Sequence, residues 1–217
     1  MSVVDDEVIK MWRDPDGKFH REDGPAVEWA DGRIYWYFHG KKHREDGPAV
    51  EWPDGSWAWY FHGEVHRDDG PAIEWSDGTK FWYLNGKMHR VDGPAEEWAD
   101  GTKKWYFDDK LHRVDGPAVE YASGTKKWFF EGKFHRVDGP AAEWADGSKW
   151  WFFEGHAITK AQSEFIQRMH KKAFHHKFKI LRYWMIKRLY DPKRKSGKKR
   201  AAESWDDTRE LYAKRQK

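Results

Sequence analysis

Apolar and polar positions repeat with a fixed period along most of this chain. Six copies of the string HRxDGPA follow one another without insertion, and each unit is 23 residues long. They begin at His20, His43, His66, His89, His112 and His135. A fixed period of this length is typical of repeat proteins, in which each unit packs against its neighbours. The pattern predicts six units over residues 20–157, preceded by a capping half-repeat over residues 1–19.

Each unit has the sequence pattern of a β-hairpin. A PAVEW-like run and a KKWYF-like run, both rich in strand-forming residues, flank an Asp-Gly pair such as that at 31–32. This pair predicts a tight two-residue turn with two positive φ angles. A second turn follows at pairs such as His-Gly at 39–40, and the fourth unit has Asp-Asp at 108–109, where a non-glycine residue must adopt a glycine-like conformation. Twelve or more strands at ~4.8 Å spacing predict an elongated single-layer sheet of roughly 60 Å.

Two series of aromatic residues recur once per unit. The first series is Trp29, Trp52, Trp75, Trp98, Tyr121 and Trp144, and the second series is Trp36, Trp59, Trp82, Trp105, Trp128 and Trp151. Because side chains alternate along a strand, we expect a Trp-rich face and an opposite face that carries Tyr and Glu. Like rings of neighbouring units would then stack, and this aromatic ladder would hold the array together. Aliphatic residues are few, so the core is expected to consist of rings.

After Gly155 the apolar period changes to that of a helix. Residues 158–190 are predicted to form a basic amphipathic helix, which begins at a capping box formed by Thr159 and Gln162. An Asp-Pro pair at 191–192 ends this helix, because the residue before proline disfavours helical backbone angles. Residues 191–217 are predicted to form a basic loop and a short C-terminal helix.

Charge divides the chain into two parts. Residues 158–217 contain 19 Lys and Arg and 6 Asp and Glu, a net charge of +13, whereas residues 1–157 contain 21 and 31, a net charge of −10, which together give the total of +3. Such asymmetry predicts an interaction end. The predicted partner-binding residues are Trp184, Lys193, Arg194, Lys195, Lys198, Lys199, Arg200 and Trp205. Four roles remain open for this segment: packing on the end of the sheet, or contact with nucleic acid, an anionic membrane or an acidic protein surface.

The polar residues of each unit could be interpreted as acid–base or metal-binding groups. Their sixfold recurrence argues against this, since an enzyme needs one asymmetric pocket with one set of tuned pKa values. A ladder of Arg–Asp and His–Glu pairs that stabilises the corners is the simpler interpretation. The chain has no Cys, its glycines do not form a phosphate-binding loop, and no stretch is apolar enough to span a membrane. We therefore predict no catalytic residue, no metal site and no cofactor.

The units resemble the MORN repeat, in a variant form that has HRxDGPA in place of the usual glycine-rich segment. The resemblance covers about residues 11–157. It implies a long twisted sheet of hairpins that acts as a scaffold, a dimerisation surface or a lipid-proximal module. Variant arrays of this kind are similar to those of large DNA viruses of protists and of some phages.

This resemblance implies a non-enzymatic structural protein, namely a minor component of a virion that spaces or bridges other proteins. Its partners would be capsid or assembly proteins, or a second copy, and no small-molecule substrate is expected. The implied location is the virion or the host cytoplasm, and the basic cluster makes the nucleus a further possibility. The alternative is a soluble adaptor or binding module that engages nucleic acid, anionic membrane or host proteins through the basic C-terminal segment.

Overall fold

The computed structural model of the protein describes residues 8–168, in which most strands are only two residues long. One antiparallel sheet contains, in spatial order, β1 (Val8–Met11), β2 (Val27–Trp29), β3 (Ile34–Tyr35), β6 (Val50–Glu51), β7 (Trp57–Ala58), β10 (Ile73–Glu74), β11 (Lys80–Phe81), β14 (Glu96–Glu97), β15 (Lys103–Lys104), β18 (Val119–Glu120), β19 (Lys126–Lys127), β22 (Ala142–Glu143), β23 (Lys149–Phe153) and β24 (His156–Ile158). The strands of this sheet follow one another in chain order, but two consecutive strands of each of the first five units do not belong to it. These remaining strands form a second set of hairpins.

This second set consists of two-stranded ribbons, one for each of the first five units. They pair β4 (Tyr37–Phe38) with β5 (Lys41–Lys42), β8 (Tyr60–Phe61) with β9 (Glu64–Val65), β12 (Tyr83–Leu84) with β13 (Lys87–Met88), β16 (Tyr106–Phe107) with β17 (Lys110–Leu111), and β20 (Phe129–Phe130) with β21 (Lys133–Phe134). Backbone bonds join successive ribbons, as where the N–H of Gly63 donates to the carbonyl of Lys42 at 2.8 Å. Residues 160–168 are helical and are named α1. The predicted mainly β array of hairpin repeats followed by a helix is confirmed.

The strand breaks at the Trp of the second series in each of the first five units. The N–H of Trp36 donates to the carbonyl of Ala49 in the next unit, at 2.8 Å, while its carbonyl accepts the N–H of His43, at 3.1 Å. These two bonds lead to different partners, and Trp36 therefore belongs to neither β3 nor β4. In the last unit no further repeat follows, and β23 runs without a break through Trp151, which pairs with Ile158.

This break overturns the predicted distribution of side chains over the two faces. Tyr35 contacts both Trp29 and Tyr37, with ring centroids 6.2 and 6.4 Å apart, so the Tyr residues share a face with the first Trp series. The Glu side chains lie on the other face with the second Trp series, because one Arg contacts both Trp36 and Glu51. The predicted common face for Tyr and Glu was wrong, since strand alternation does not continue across the break.

The two turns of a unit have different geometries. At the first turn the N–H of Trp29 donates to the carbonyl of Arg33 at 3.0 Å, and Gly32 has a φ of 89°. The carboxylate of Asp31 accepts the N–H of Arg33 at 3.0 Å. This is a three-residue loop with one left-handed residue, so the predicted turn with two positive φ angles was wrong at this position.

The second turn has two left-handed residues. In the first unit these are His39, with a φ of 45°, and Gly40, with a φ of 78°. In the fourth unit they are Asp108 and Asp109, with φ values of 47° and 63°. The expectation that a non-glycine residue adopts this conformation in the fourth unit is confirmed.

The most deeply buried side chains are small. The Ala of the repeated string is fully buried in every unit, at Ala26, Ala49, Ala72, Ala95, Ala118 and Ala141. Within residues 8–168 no Trp side chain is fully buried, and Trp75 and Trp98 are 40% and 42% exposed. The predicted core of rings was therefore wrong in detail. A strand two residues wide offers too little surface to enclose a Trp, so the rings cover a core of Ala and Val.

Buried hydroxyl groups connect successive units at the first turn. The side chain of Ser56 accepts the N–H of Ser76 at 2.9 Å, and Thr79, Thr102 and Thr125 accept the equivalent N–H twenty residues later at 3.1–3.2 Å. The first unit has Arg33 at this position, and the residue twenty positions later is Pro53, which has no N–H to satisfy. The first unit thus lacks both the hydroxyl acceptor and the backbone N–H donor of this connection.

The predicted capping box at the start of α1 is confirmed. The side chain of Gln162 accepts the N–H of Thr159 at 2.8 Å, and the N–H of Gln162 donates to the Thr159 hydroxyl at 3.2 Å. The remainder of the predicted helix up to residue 190, and the predicted loop and helix over 191–217, lie outside the described residues.

Replacing Thr79 by Val should test the connection through buried hydroxyl groups. The change keeps the shape of the side chain but leaves the N–H of Ala99 without its acceptor, which costs about 1–3 kcal/mol of the free energy of unfolding. Urea denaturation of the two proteins measures this loss. Ser148→Ala in the last unit is the control, because Ser148 is exposed, and it should change stability by less than about 0.5 kcal/mol. Equal effects of the two substitutions would contradict the role assigned to Thr79.

Candidate functional site

The Arg of the repeated string occupies the centre of a polar cluster in each unit. In the second unit the guanidinium of Arg44 lies 4.0 Å from the ring centroid of Trp36. Its Nε donates to the carboxylate of Asp46 at 2.9 Å, and its Nη1 donates to the carbonyl of Pro48 at 3.3 Å and to the carboxylate of Glu51 at 2.9 Å. One side chain thus connects Trp36 at the strand break of the preceding unit, the corner loop and the next strand of the sheet.

The glycine of the same string is explained by this cluster. A Cβ atom on Gly47 would lie 2.5 Å from Cζ of Arg44, which is closer than carbon atoms can approach. Gly47 does not have a positive φ, so its role is to leave space rather than to permit an unusual backbone conformation. The guanidinium is held between the ring of Trp36 and the backbone of Gly47.

The arrangement recurs along the whole array. The distance from the guanidinium carbon to the ring centroid is 3.9–4.3 Å for the pairs Arg21–Trp12, Arg44–Trp36, Arg67–Trp59, Arg90–Trp82, Arg113–Trp105 and Arg136–Trp128. A cation over an indole ring contributes about 0.5–2 kcal/mol, depending on how far it is desolvated. The first five Trp of the second series, Trp36 to Trp128, therefore stack against Arg rather than against one another, which corrects the predicted stacking of like rings at these positions.

The first Trp series has more varied partners. Trp52 and Trp75 contact each other with ring centroids 5.3 Å apart, which is the predicted contact between like rings. Trp98 instead packs against Phe81 at 5.6 Å, and Trp144 packs against Trp150 at 5.9 Å. The rings of this series cover the small core residues of the sheet and remain partly exposed.

The carboxylates around the Arg match the predicted Arg–Asp pairs. Each Arg donates its Nε to the Asp two residues later at 2.7–2.9 Å. The hydrogen bond from Arg44 holds the pKa of Asp46 below its ordinary value. The Glu seven residues after the Arg is a second acceptor, as at Arg90–Glu97 and Arg113–Glu120. The predicted His–Glu pairing is replaced at these Glu residues by a bond to Arg.

The His of the repeated string forms a separate column with the Phe of the ribbons. Ring centroids lie 4.9 Å apart for His43 and Phe61 and 4.6 Å apart for His112 and Phe130. Phe61 also lies 5.9 Å from His66 of the next unit. The rings thus alternate along the array, and Leu84 takes the place of Phe in the third unit.

The fourth unit contains a buried ionic cluster that the repeat analysis missed. Glu96 occupies the position at which other units have Val, Ile or Ala, and it is only 4% exposed. Its carboxylate accepts hydrogen bonds from Lys104 at 2.6 Å and from the indole of Trp98 at 2.8 Å. Burial and then the charge of Glu96 raise the pKa of the Tyr106 hydroxyl, which is also bonded to Glu96. The string PAEEW in place of PAVEW was the signal that could have revealed this cluster.

Within residues 8–168, the polar groups of the repeated string bond to one another and are not arranged around a substrate cavity. Within residues 8–168, no three His, Asp or Glu side chains are placed to hold a metal ion. In the same part of the chain, no helix combines the length and the apolar character needed to cross a bilayer. The predicted partner-binding residues from Trp184 to Trp205 lie outside the described residues.

Comparison with protein-family models and with curated proteins gave no match to this chain. The likeness to MORN repeats therefore remains a resemblance carried by the repeated string and by its period.

Replacing Arg113 by Lys should test the Arg cluster. Lysine keeps the charge but lacks the planar fork, so it cannot cover Trp105 and bond Asp115 and Glu120 at the same time. We expect the free energy of unfolding to fall by about 2–3 kcal/mol in urea denaturation followed by Trp fluorescence.

Lys133→Arg is the matched control for this experiment. Lys133 is exposed in the same unit, and the change should alter stability by less than about 0.5 kcal/mol. A loss for Arg113→Lys that is no larger than that of the control would contradict the central position of the Arg.

Proposed function

We propose that this protein is a non-enzymatic scaffold whose rigid array of repeats spaces or bridges other proteins. The observation that carries the proposal is the use of the recurring polar groups within the chain itself. Arg44 is bonded to Asp46, Pro48 and Glu51. His43 accepts a hydrogen bond from a backbone N–H in the second turn of its own unit. The bonds from Arg to Asp and Pro recur in all six units and the bond from Arg to Glu recurs in four, which supports a constant geometry along the array, the property that a spacer needs.

More specifically, we propose that the protein is a minor structural component of a virion. The support for this is the resemblance of the six units to the variant MORN arrays of large DNA viruses. Its partners would be capsid or assembly proteins, or a second copy, and it would act in the virion or in the host cytoplasm. The separation of charge supports an arrangement in which residues 1–157, of net charge −10, project and residues 158–217, of net charge +13, attach.

A second candidate function is that of a soluble adaptor. The basic residues between 193 and 200 and the flanking Trp184 and Trp205 would suit nucleic acid or an anionic membrane as well as an acidic protein. A nuclear location would follow in the first case. The two candidates differ in the chemistry of the partner that the basic segment binds.

Deletion of residues 191–217 tests the scaffold proposal. We expect the full chain to be recovered with purified virus particles and the truncated chain to be absent from them. The thermal unfolding of the array should remain unchanged, because the contacts described above lie within residues 8–168. Incorporation of the truncated chain at the normal level would contradict the attachment role.

Two further variants separate the contributions of charge and of rings. One replaces the six basic residues between 193 and 200 by Gln, and the other replaces Trp184 and Trp205 by Ala. An aromatic anchor in a protein interface should make the second variant fail at any salt concentration. Binding of the full chain to duplex DNA or to anionic vesicles, with a steep loss of affinity in added salt, would favour the adaptor.

A further inference from the structure

Each imidazole of the repeated string accepts a hydrogen bond from a backbone N–H of its own unit. The Nδ1 atoms of His20, His43, His66, His89, His112 and His135 lie 3.0–3.4 Å from the backbone nitrogens of His39, His62, Asn85, Asp108, Glu131 and Glu154. A ring nitrogen accepts a hydrogen bond only when it carries no proton. Except in the fourth unit, where the carboxylate of Asp108 also faces Nδ1 of His89, this geometry fits a ring that carries its proton on Nε2 and none on Nδ1.

The donor of this bond is always the first of the two left-handed residues in the second turn. The six donors have φ angles of 45–50° although none of them is glycine. A non-glycine residue in this conformation costs about 1–3 kcal/mol unless its surroundings stabilise it. The imidazole provides such stabilisation by fixing the N–H of the strained residue.

We propose that the imidazoles other than that of His89 form an acid-sensitive lock on the second turns of their units. Protonation of Nδ1 places an N–H against the N–H of the turn, so the acceptor is lost and the two donors face each other. The left-handed residue then loses its support, and the ribbons that join neighbouring units are weakened. Histidine is suited to this role because its charge changes between pH 5 and 8.

The charged groups that face the imidazoles differ along the array. In the first three units Nε2 lies 3.9, 3.9 and 3.4 Å from Glu22, Glu45 and Asp68. Val stands at the equivalent positions of the last three units, at Val91, Val114 and Val137. In the fourth unit the carboxylate of Asp108 lies 2.8 Å from Nδ1 of His89 and accepts a hydrogen bond from it when that nitrogen carries the ring proton. A carboxylate thus lies beside the imidazole in each of the first four units.

The fifth unit is suited to a test of the lock. Burial lowers the pKa of His112, and the only opposing charge that acts on it in the described structure is that of Glu131 on the facing ribbon. The rings of Phe107 and Phe130 flank the imidazole. Burial also lowers the pKa of His43, and the stacked ring of His62 adds to this effect while Glu45 opposes it.

A lowered pKa in the folded state sets the direction of the pH dependence. An unfolded histidine titrates near ~6.5, so the unfolded chain takes up a proton at a higher pH than the folded chain does. The stabilisation is complete above that pH and is lost as the pH falls below it. Each such histidine changes the unfolding equilibrium by at most about tenfold per pH unit.

His112→Asn is the variant that isolates the lock. The Asn side-chain oxygen can occupy the place of Nδ1 as an acceptor but does not titrate. We expect the unfolding equilibrium constant of the full-length protein to rise several-fold more between pH 7.5 and 5.5 than that of the variant. His156→Asn, at an exposed position outside the column, should leave the pH dependence as it is in the unmodified protein.

Long-range ¹H–¹⁵N spectra of the histidine side chains give a direct reading that does not depend on a variant. At pH 7.5 the five imidazoles other than that of His89 should carry their proton on Nε2, and His112 should titrate below ~6.5, the ordinary value of histidine. A proton on Nδ1 of His112, a titration at or above that value, or an equal pH dependence in H112N and the unmodified protein would each overturn the proposal.

Discussion

The guanidinium of one Arg per unit is the group on which the rest of the array depends. It covers the Trp that lies just before the preceding ribbon and bonds to the corner loop, and in four described units, such as that of Arg113, it also bonds to a Glu of the next strand. The contacts of this guanidinium explain several residues of the repeated string HRxDGPAxEW. Asp and Glu are its acceptors, Gly leaves room for it, and the carbonyl of Pro accepts its last hydrogen bond.

This arrangement shows how short strands build a stable array without a large apolar core. Each strand of the sheet contributes one small buried side chain, such as Val50 or Val119, and the aromatic rings close over this column. Hydroxyl groups such as that of Thr102 connect one first turn to the next, while His–Phe contacts follow the ribbons. Each of these contacts is made within a unit or with its neighbour, which is the condition for stability that adds up along a repeat array.

The sequence predicted an array of hairpin repeats followed by a helix, because the period is fixed and the turn residues are conspicuous. It did not predict the strand break at Trp36, because that break depends on a backbone bond to the next unit. The partner of each second-series Trp was also missed, because Arg44 lies eight residues beyond Trp36 and only the chain reversal brings them together. The burial of Glu96 was missed because the residue was read together with the neighbouring Glu97, although other units have an apolar residue at its position on the strand.

The central claim is that Arg and Trp stabilise the array through their mutual contact and not merely through separate burial. A double-mutant cycle in the fourth unit measures this directly, with Trp82→Leu and Arg90→Met, which retain bulk but remove the ring and the charge. Leu keeps much of the apolar contact, so the remaining coupling reports the contact of the cation with the ring. Our account predicts a coupling free energy of about 1–2 kcal/mol between the two positions. Effects that add to within about 0.3 kcal/mol would contradict it.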